Sequence, residues 1–319
     1  RIWDAATGEL LRELSGHADW LSSATFGPDG KTIVTTSGDR TARIWDTATG
    51  ELLRELSGHR DAVTSAAFSP DGETVVTASW DHTGRIWKAA TGELLRVLNG
   101  HTDSIRSAAF SPDGKTVATA SRDLTARIWD PATGEQLQVL AGHSNLVTSI
   151  AYSPDSKRVV TASADRTVRV WEVNMGNRIQ ELRGHTDGVR DAVFSPDGRT
   201  ILTASADRTA RIWDAATGEQ LQELTGHTGA VTSAVFSPDG KTVLTASEDE
   251  TARIWDVITG EQLHKLTGHM GYIDSATYSP DGKHVVTVGA DGTARIWDAA
   301  TGAQLREFAG HSAPVVSAA

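Results

Sequence analysis

The dipeptide Gly-His recurs every forty-two residues without insertion or deletion, its histidine falling at His17, His59, His101, His143, His185, His227, His269 and His311. Tryptophan keeps the same interval at Trp3, Trp45, Trp87, Trp129, Trp171, Trp213, Trp255 and Trp297, leaving only Trp20 and Trp80 outside the series. A period of this size means stacked supersecondary units, each too small to bury its own apolar faces. It overrides the expectation that 319 residues divide into two domains. The reading is one repeat domain over 1–319, with units starting at Gly16, Gly58, Gly100, Gly142, Gly184, Gly226 and Gly268 and partial units at 1–15 and 310–319. Because the chain opens and closes inside a motif, we read it as a fragment of a longer polypeptide.

Within residues 59–100, an apolar run ending at Phe68 meets Ser69-Pro70-Asp71-Gly72. Proline presets φ at the first corner of that turn and glycine accepts positive φ at the last. The runs TVVTAS, GRIW and ELLRVL follow, separated by breaks at residues 80–83 and 89–92. Each is short, β-branched or leucine-rich, and bounded by turn residues, which predicts four antiparallel strands per unit. A four-stranded sheet buried on both faces is unstable alone, and a ring of such sheets leaves no long open edge. The expected fold class is an all-β propeller of four-stranded antiparallel blades.

Gly-His near the start of a unit, an Asp before the third strand and Trp-Asp at its end resemble the WD-repeat family over the whole chain. Near-identical tandem units resemble the prokaryotic members more than diverged scaffolds. The resemblance implies a buried network of His, Ser or Thr, Asp and Trp in each unit: His17, Thr35, Asp39, Trp45; His59, Thr77, Asp81, Trp87; His101, Thr119, Asp123, Trp129; His143, Thr161, Asp165, Trp171. The remaining sets are His185, Thr203, Asp207, Trp213; His227, Thr245, Asp249, Trp255; and His269, Thr287, Asp291, Trp297. The final Asp of the motif is replaced by Lys88 and Glu172 in two units, and Ser156 stands where a turn glycine is expected. The unit from His143 is therefore expected to be the least regular.

In the family's strand order the chain supplies eight innermost, seven second, eight third and eight outermost strands. Seven blades are expected, with surplus partial-repeat strands at both termini and an N-terminal strand pairing with C-terminal ones to close the last blade. Eight blades, one of them damaged, is the alternative.

Chemistry finds little support. A hydrolase site needs one special constellation with an exposed nucleophile and an oxyanion hole, and His-Thr-Asp sets repeated in every unit point to scaffolding. There is no cysteine, and no paired-carboxylate or HxxxH cluster, so neither a catalytic residue nor a metal site is expected. No glycine-rich phosphate motif runs from a strand into a helix, so no cofactor is expected. A net charge of -11 opposes a nucleic-acid surface. No apolar run reaches the length of a membrane span and no leader is recognisable, so the expectation is a cytoplasmic protein without a membrane segment.

Selectivity must then lie where the units differ. The resemblance implies that partners bind the face carrying the Gly-His loops and the turns between second and third strands. Three positions per unit point there: three and five residues after the His, and the residue before the Asp. Most copies are small. The exceptions are Trp20, Trp80, Arg106, Arg122, Arg190, Glu248, Tyr272 and Asp274. Trp, Tyr and Arg are the types enriched at interface hot spots. These eight are the expected contacts for proteins or peptides, on a surface running from Glu248 and Asp274 through the aromatics to Arg106 and Arg122. The function expected is a non-enzymatic scaffold. The alternatives are the sensing end of a larger signalling protein whose NTPase, kinase or protease domain lies elsewhere, and an enzyme acting at the axis.

Overall fold

The computed structural model describes residues 1–311 and 313–318. Residues 312 and 319, part of the partial unit expected at 310–319, lie outside the described residues. The chain divides into two compact units, 1–161 with 171–178, and 162–170 with 179–318.

In the second repeat, Val63–Phe68, Thr74–Ser79, Gly84–Lys88 and Leu94–Leu98 pair antiparallel in sequence order. The same four-strand sheet is built from residues 21–56, 105–141, 147–183, 189–224, 231–267 and 273–308. These are the seven blades of a β-propeller, numbered 1 to 7 in chain order. At the N-terminus Ile2–Trp3 and Leu10–Arg12 form a separate two-stranded sheet. The expected exchange between chain ends is not how the blades are made: every four-stranded sheet takes its strands consecutively. Each forty-two-residue period already contains all four strands joined by short turns, and sequential strands pair by preference. Among the described residues beyond Phe308, none lies in a strand.

Alternation along the second strand explains why both faces of a blade are apolar. Val75 packs with Val34, Ile44 and Leu56 of blade 1. Its neighbour Val76 points the other way and packs with Ile105, Val117 and Trp129 of blade 3. In the second unit Val243 meets Leu202, Ile212 and Leu224 of blade 5, while Leu244 meets Ile273, Val285 and Trp297 of blade 7. Each such fully buried aliphatic side chain contributes roughly 1.5–3 kcal/mol. The period-2 signal is thus hidden inside continuous apolar runs such as TVVTAS.

Polar links repeat across the same seams. Register slips between Val63 and Ser65, and Thr64, the residue within the slip, donates its hydroxyl to the Ile105 carbonyl at 2.8 Å. Thr232 does the same to Ile273 at 2.6 Å. Farther out, Arg54 Nε donates to the Ala90 carbonyl at 2.7 Å, and Arg12 of the terminal two-stranded sheet reaches Ala48 at the same distance.

Blade 4 keeps its turns despite its unusual residues. Ser156 adopts φ 62°, where the equivalent Gly72 has 74°, and its amide still bonds the Ser153 carbonyl at 2.9 Å. Its hydroxyl accepts the Asp113 amide at 3.1 Å. Gly176, with φ 66°, likewise preserves the later turn.

Candidate functional site

Each blade carries one polar clasp, and blade 2 shows its logic. Trp87 Nε1–H, which can only donate, bonds the Thr77 hydroxyl at 2.9 Å. Thr77 Oγ lies 2.8 Å from His59 Nε2, and His59 Nδ1 lies 2.9 Å from Asp81 Oδ2. With Nδ1–H donated to the carboxylate and the ring neutral, Nε2 accepts the threonine proton, giving one ordered chain from Trp to Asp. Asp81 also accepts the Arg60 amide at 2.9 Å, the Thr83 amide at 2.9 Å and the Thr83 hydroxyl at 2.6 Å.

The other sets repeat these distances. His17 meets Asp39 at 2.7 Å and Thr35 at 2.9 Å, with Trp45 on Thr35 at 2.8 Å. His101 meets Asp123 at 2.7 Å and Thr119 at 2.8 Å, with Trp129 on Thr119 at 2.8 Å. His143 meets Thr161 at 2.8 Å and Trp171 donates to Thr161 at 2.9 Å, while Asp165 accepts the Thr167 hydroxyl at 2.6 Å. His185, Thr203, Asp207 and Trp213 join at 2.7 to 3.0 Å. His227, Thr245, Asp249 and Trp255 join at 2.8 to 2.9 Å, as do His269, Thr287, Asp291 and Trp297.

Burial favours the neutral ring and pushes His17, His59, His101, His227 and His269 below the usual histidine range, outweighing their aspartates. For the carboxylates burial pulls the other way and loses. Hydrogen bonds from Thr, backbone amide and His hold Asp39, Asp81, Asp123 and Asp207 far below the usual range, and bring Asp249 and Asp291 down to about 2.

The variable positions fall into two groups. In the first unit Trp20 and Trp80 remain 47% and 36% exposed, with ring centroids 5.8 Å apart and planes at 49°. Trp20 lies over Gly38, where a Cβ would come within 2.7 Å of ring atom Cε2. Glycine at the position before Asp39 thus makes room for this ring, while the same position in blade 2 is Trp80 itself. The Arg122 guanidinium sits 5.9 Å from the centre of Trp80. Arg106, on the first strand of blade 3, has its charge disfavoured by the surrounding protein and then by Arg122. The four side chains form one patch across blades 1 to 3.

In the second unit Arg190 and Glu248 form an ion pair at 2.7 Å. Asp274 is raised by burial, with Arg190 opposing and Glu248 adding to the shift. Tyr272 is exposed, and its carbonyl accepts the Ala290 amide at 2.9 Å.

The sequence profile of the family described as WD domain, G-beta repeat matches residues 8–46, 50–88, 92–130, 134–172, 176–214, 218–256 and 260–298. The chain belongs to the WD40 family. Each matched WD40 segment begins at the turn glycine just before the fourth strand of one blade or before the second strand of the terminal sheet, and ends at the close of the third strand of the blade that follows. One repeat therefore ties two neighbouring sheets together. Nuclear distribution protein PAC1 of Arthroderma benhamiae is 46% identical over 43 residues, 14% of this chain and 9% of that protein. A periodic tryptophan protein 2 homolog of Neurospora crassa is 52% identical over 42 residues, 13% of this chain and 5% of that protein. The match thus spans less than a tenth of either relative. The crystal structure of the computationally designed Ika8 protein superposes with a TM-score of 0.87 at 32% identity, covering 96% of this chain and 92% of that one.

The WD40 clasp is larger than the four residues expected per blade. Thr41, Thr83, Thr125, Thr167, Thr209, Thr251 and Thr293, two residues after each Asp, give the carboxylate a hydroxyl and an amide. Arg85 approaches Asp81 at 4.0 Å, as Arg127 approaches Asp123 at 3.8 Å. Gly58 has φ 135°, and a Cβ there would lie 2.6 Å from Arg85 Nη1, so the glycine of Gly-His is the residue that admits the arginine. The signal was present, since Asp-X-Thr and the arginine two before each Trp recur with the same period.

The Asp of Trp-Asp plays a lesser part. Asp46 accepts the Ala48 and Thr49 amides at 3.0 and 2.7 Å. Where Lys88 replaces it, the Gly92 amide still bonds the Lys88 carbonyl at 2.8 Å. The backbone alone closes that turn.

Among the described residues, no group of three or more His, Cys, Asp or Glu side chains is placed to hold a metal.

Proposed function

We propose that this chain is a protein-binding platform without catalytic activity, and that Trp20, Trp80, Arg106 and Arg122 are its recognition patch. One observation carries this reading: two large rings are held together in solvent at positions where most other repeats place small residues. Exposed tryptophan against arginine is the composition of an interface hot spot. Arg190, Glu248, Tyr272 and Asp274 form a second set of variable contacts for a partner. The pairing of Arg190 with Glu248 supports a role in orienting such a partner rather than supplying free charge. The repeated His-Thr-Asp sets are framework. The Thr77 hydroxyl is fully buried and engaged by two rings, which suits a clasp and not a nucleophile.

The test compares proteins retained from a cell extract by the wild-type chain and by a Trp20→Ala/Trp80→Ala variant. Both rings lie outside the buried core, so the variant should keep its melting temperature. Partners lost from the folded variant support the reading; an unchanged set of captured proteins overturns it.

A further inference from the structure

Resting on that reading of the patch, the chemistry of its partner can be narrowed. The chain carries an excess of acid, with a net charge of -11, and several of the arginines on its third strands have carboxylates beside them. Arg43 is 3.0 Å from Glu55, Arg211 is 3.2 Å from Glu223 and Arg295 is 3.1 Å from Glu307. Arg190, on the first strand of blade 5 where Arg106 stands on that of blade 3, has Glu248 at 2.7 Å. Glu248, in the turn of blade 6, occupies the position before the turn Asp that in blade 3 is Arg122.

Arg190 thus reaches the turn of the following blade, whereas Arg106 and Arg122 lie within blade 3, where Ile105 pairs with Ser121 and the Arg122 amide bonds the Ser104 carbonyl at 2.9 Å. Arg190 is neutralised by Glu248. In blade 3 the first strand and the adjoining turn bring two like charges together, Arg122 disfavouring the charge of Arg106, and among the described residues neither side chain has a carboxylate within 4.0 Å. One of them also lies against Trp80, which leaves its fork free to bind on the open side.

We propose that Arg106 and Arg122 capture the carboxylates of an acidic peptide whose adjacent apolar or aromatic side chain lies on the Trp20–Trp80 pair. Guanidinium and carboxylate match as planar two-bond partners, and two neighbouring cations are best relieved by an anion that bridges them. The tilted indoles supply a rigid apolar platform at little entropic cost. A nucleic-acid strand is the poorer match, because it needs positive potential over many phosphates and this chain is acidic.

The experiment uses the full chain and a peptide labelled on its N-terminal amine, fluorescein-Gly-Glu-Phe-Glu-Gly-amide, with its glutamine counterpart fluorescein-Gly-Gln-Phe-Gln-Gly-amide, read by fluorescence anisotropy at low ionic strength. The glutamate peptide is expected to bind about tenfold or more tightly than the glutamine peptide, and the preference should fade as salt rises. Arg106→Gln and Arg122→Gln should each reduce that preference and together abolish it. Both sites are exposed, and a thermal melt of each variant checks that the fold is kept. Equal binding of the two peptides by the wild-type chain overturns the proposal, as does a preference that survives the double arginine variant. Tighter binding of a labelled oligothymidine than of the glutamate peptide also overturns it, in favour of phosphate. The patch reading fails separately: Trp20→Ala/Trp80→Ala should weaken both peptides alike, and unchanged binding of both would show that the rings are not used even if the arginines are.

Discussion

In blade 2 the indole N–H of Trp87 ends on the hydroxyl of Thr77 at 2.9 Å, and that hydroxyl, fully buried, donates in turn to His59 Nε2 at 2.8 Å. The strand that holds Trp87 and the loop that holds His59 are thereby joined through one oxygen. The Gly-His loop owes its position to a side chain on the second strand.

Thr77→Val keeps the shape and removes the oxygen. It leaves Trp87 Nε1–H and His59 Nε2 buried without a partner, which should cost ~1–3 kcal/mol. Urea unfolding measures this directly. A change within about 0.3 kcal/mol, below the cost expected for one orphaned buried group, would show that water replaces the hydroxyl.

The clasps also set the response to acid. His17, His59, His101, His227 and His269 are held below 6.5 in the folded chain, chiefly by burial. As pH falls through 6.5 the unfolded chain binds protons that the folded one refuses, so stability declines. Below 3.8 a second loss begins, because protonation of Asp81, Asp249 and Asp291 is easier unfolded than folded. The urea midpoint should therefore be lower at about pH 5.5 than at about pH 7.5, with proton uptake on unfolding in that window. A flat profile between those values would mean that the folded rings bind protons as readily as the unfolded ones, and a higher midpoint at about pH 5.5 that they are charged in the folded state.

Period alone made the blades and clasps legible, because His59, Thr77, Asp81 and Trp87 stand in every unit at the same spacing. Thr83 and Arg85 are just as periodic, yet a threonine after a turn and an arginine on a strand look like exposed residues until the fold buries their contacts. The pairing of Trp20 with Trp80 is of another kind. One ring comes from a Gly-His loop and the other from a turn in the next blade, and they meet because Gly38 has no side chain. No spacing within a repeat encodes that contact. The ion pair of Arg190 with Glu248 escaped for the same reason, being a product of two adjacent irregularities.

Gly58 tests why Gly-His begins with glycine. At φ 135°, and with Arg85 Nη1 where a Cβ would go, Gly58→Ala combines backbone strain with a side-chain clash. The expected loss is ~1–3 kcal/mol. Arg85→Ala should return part of it in the double variant, with a coupling of roughly 0.5–3 kcal/mol, because the clash disappears while the strain remains. Additive losses would mean that Arg85 already swings aside without cost.

Tryptophan emission offers a check on the patch that needs no partner. Trp45, Trp87, Trp129, Trp171, Trp213, Trp255 and Trp297 are at most 2% exposed, against 47% for Trp20 and 36% for Trp80. Acrylamide should therefore quench a small, separable fraction of the emission, and Trp20→Phe/Trp80→Phe should remove most of that fraction while leaving the melting temperature near its starting value. Gly38→Ala sharpens the test, since its Cβ would meet Trp20 Cε2 at 2.7 Å and must push the ring away from its neighbour. In that variant quenching of Trp20 should rise without any change in the buried series. If Gly38→Ala leaves the quenching curve of the wild type intact, Trp20 does not rest on Gly38, and the pairing with Trp80 loses its support.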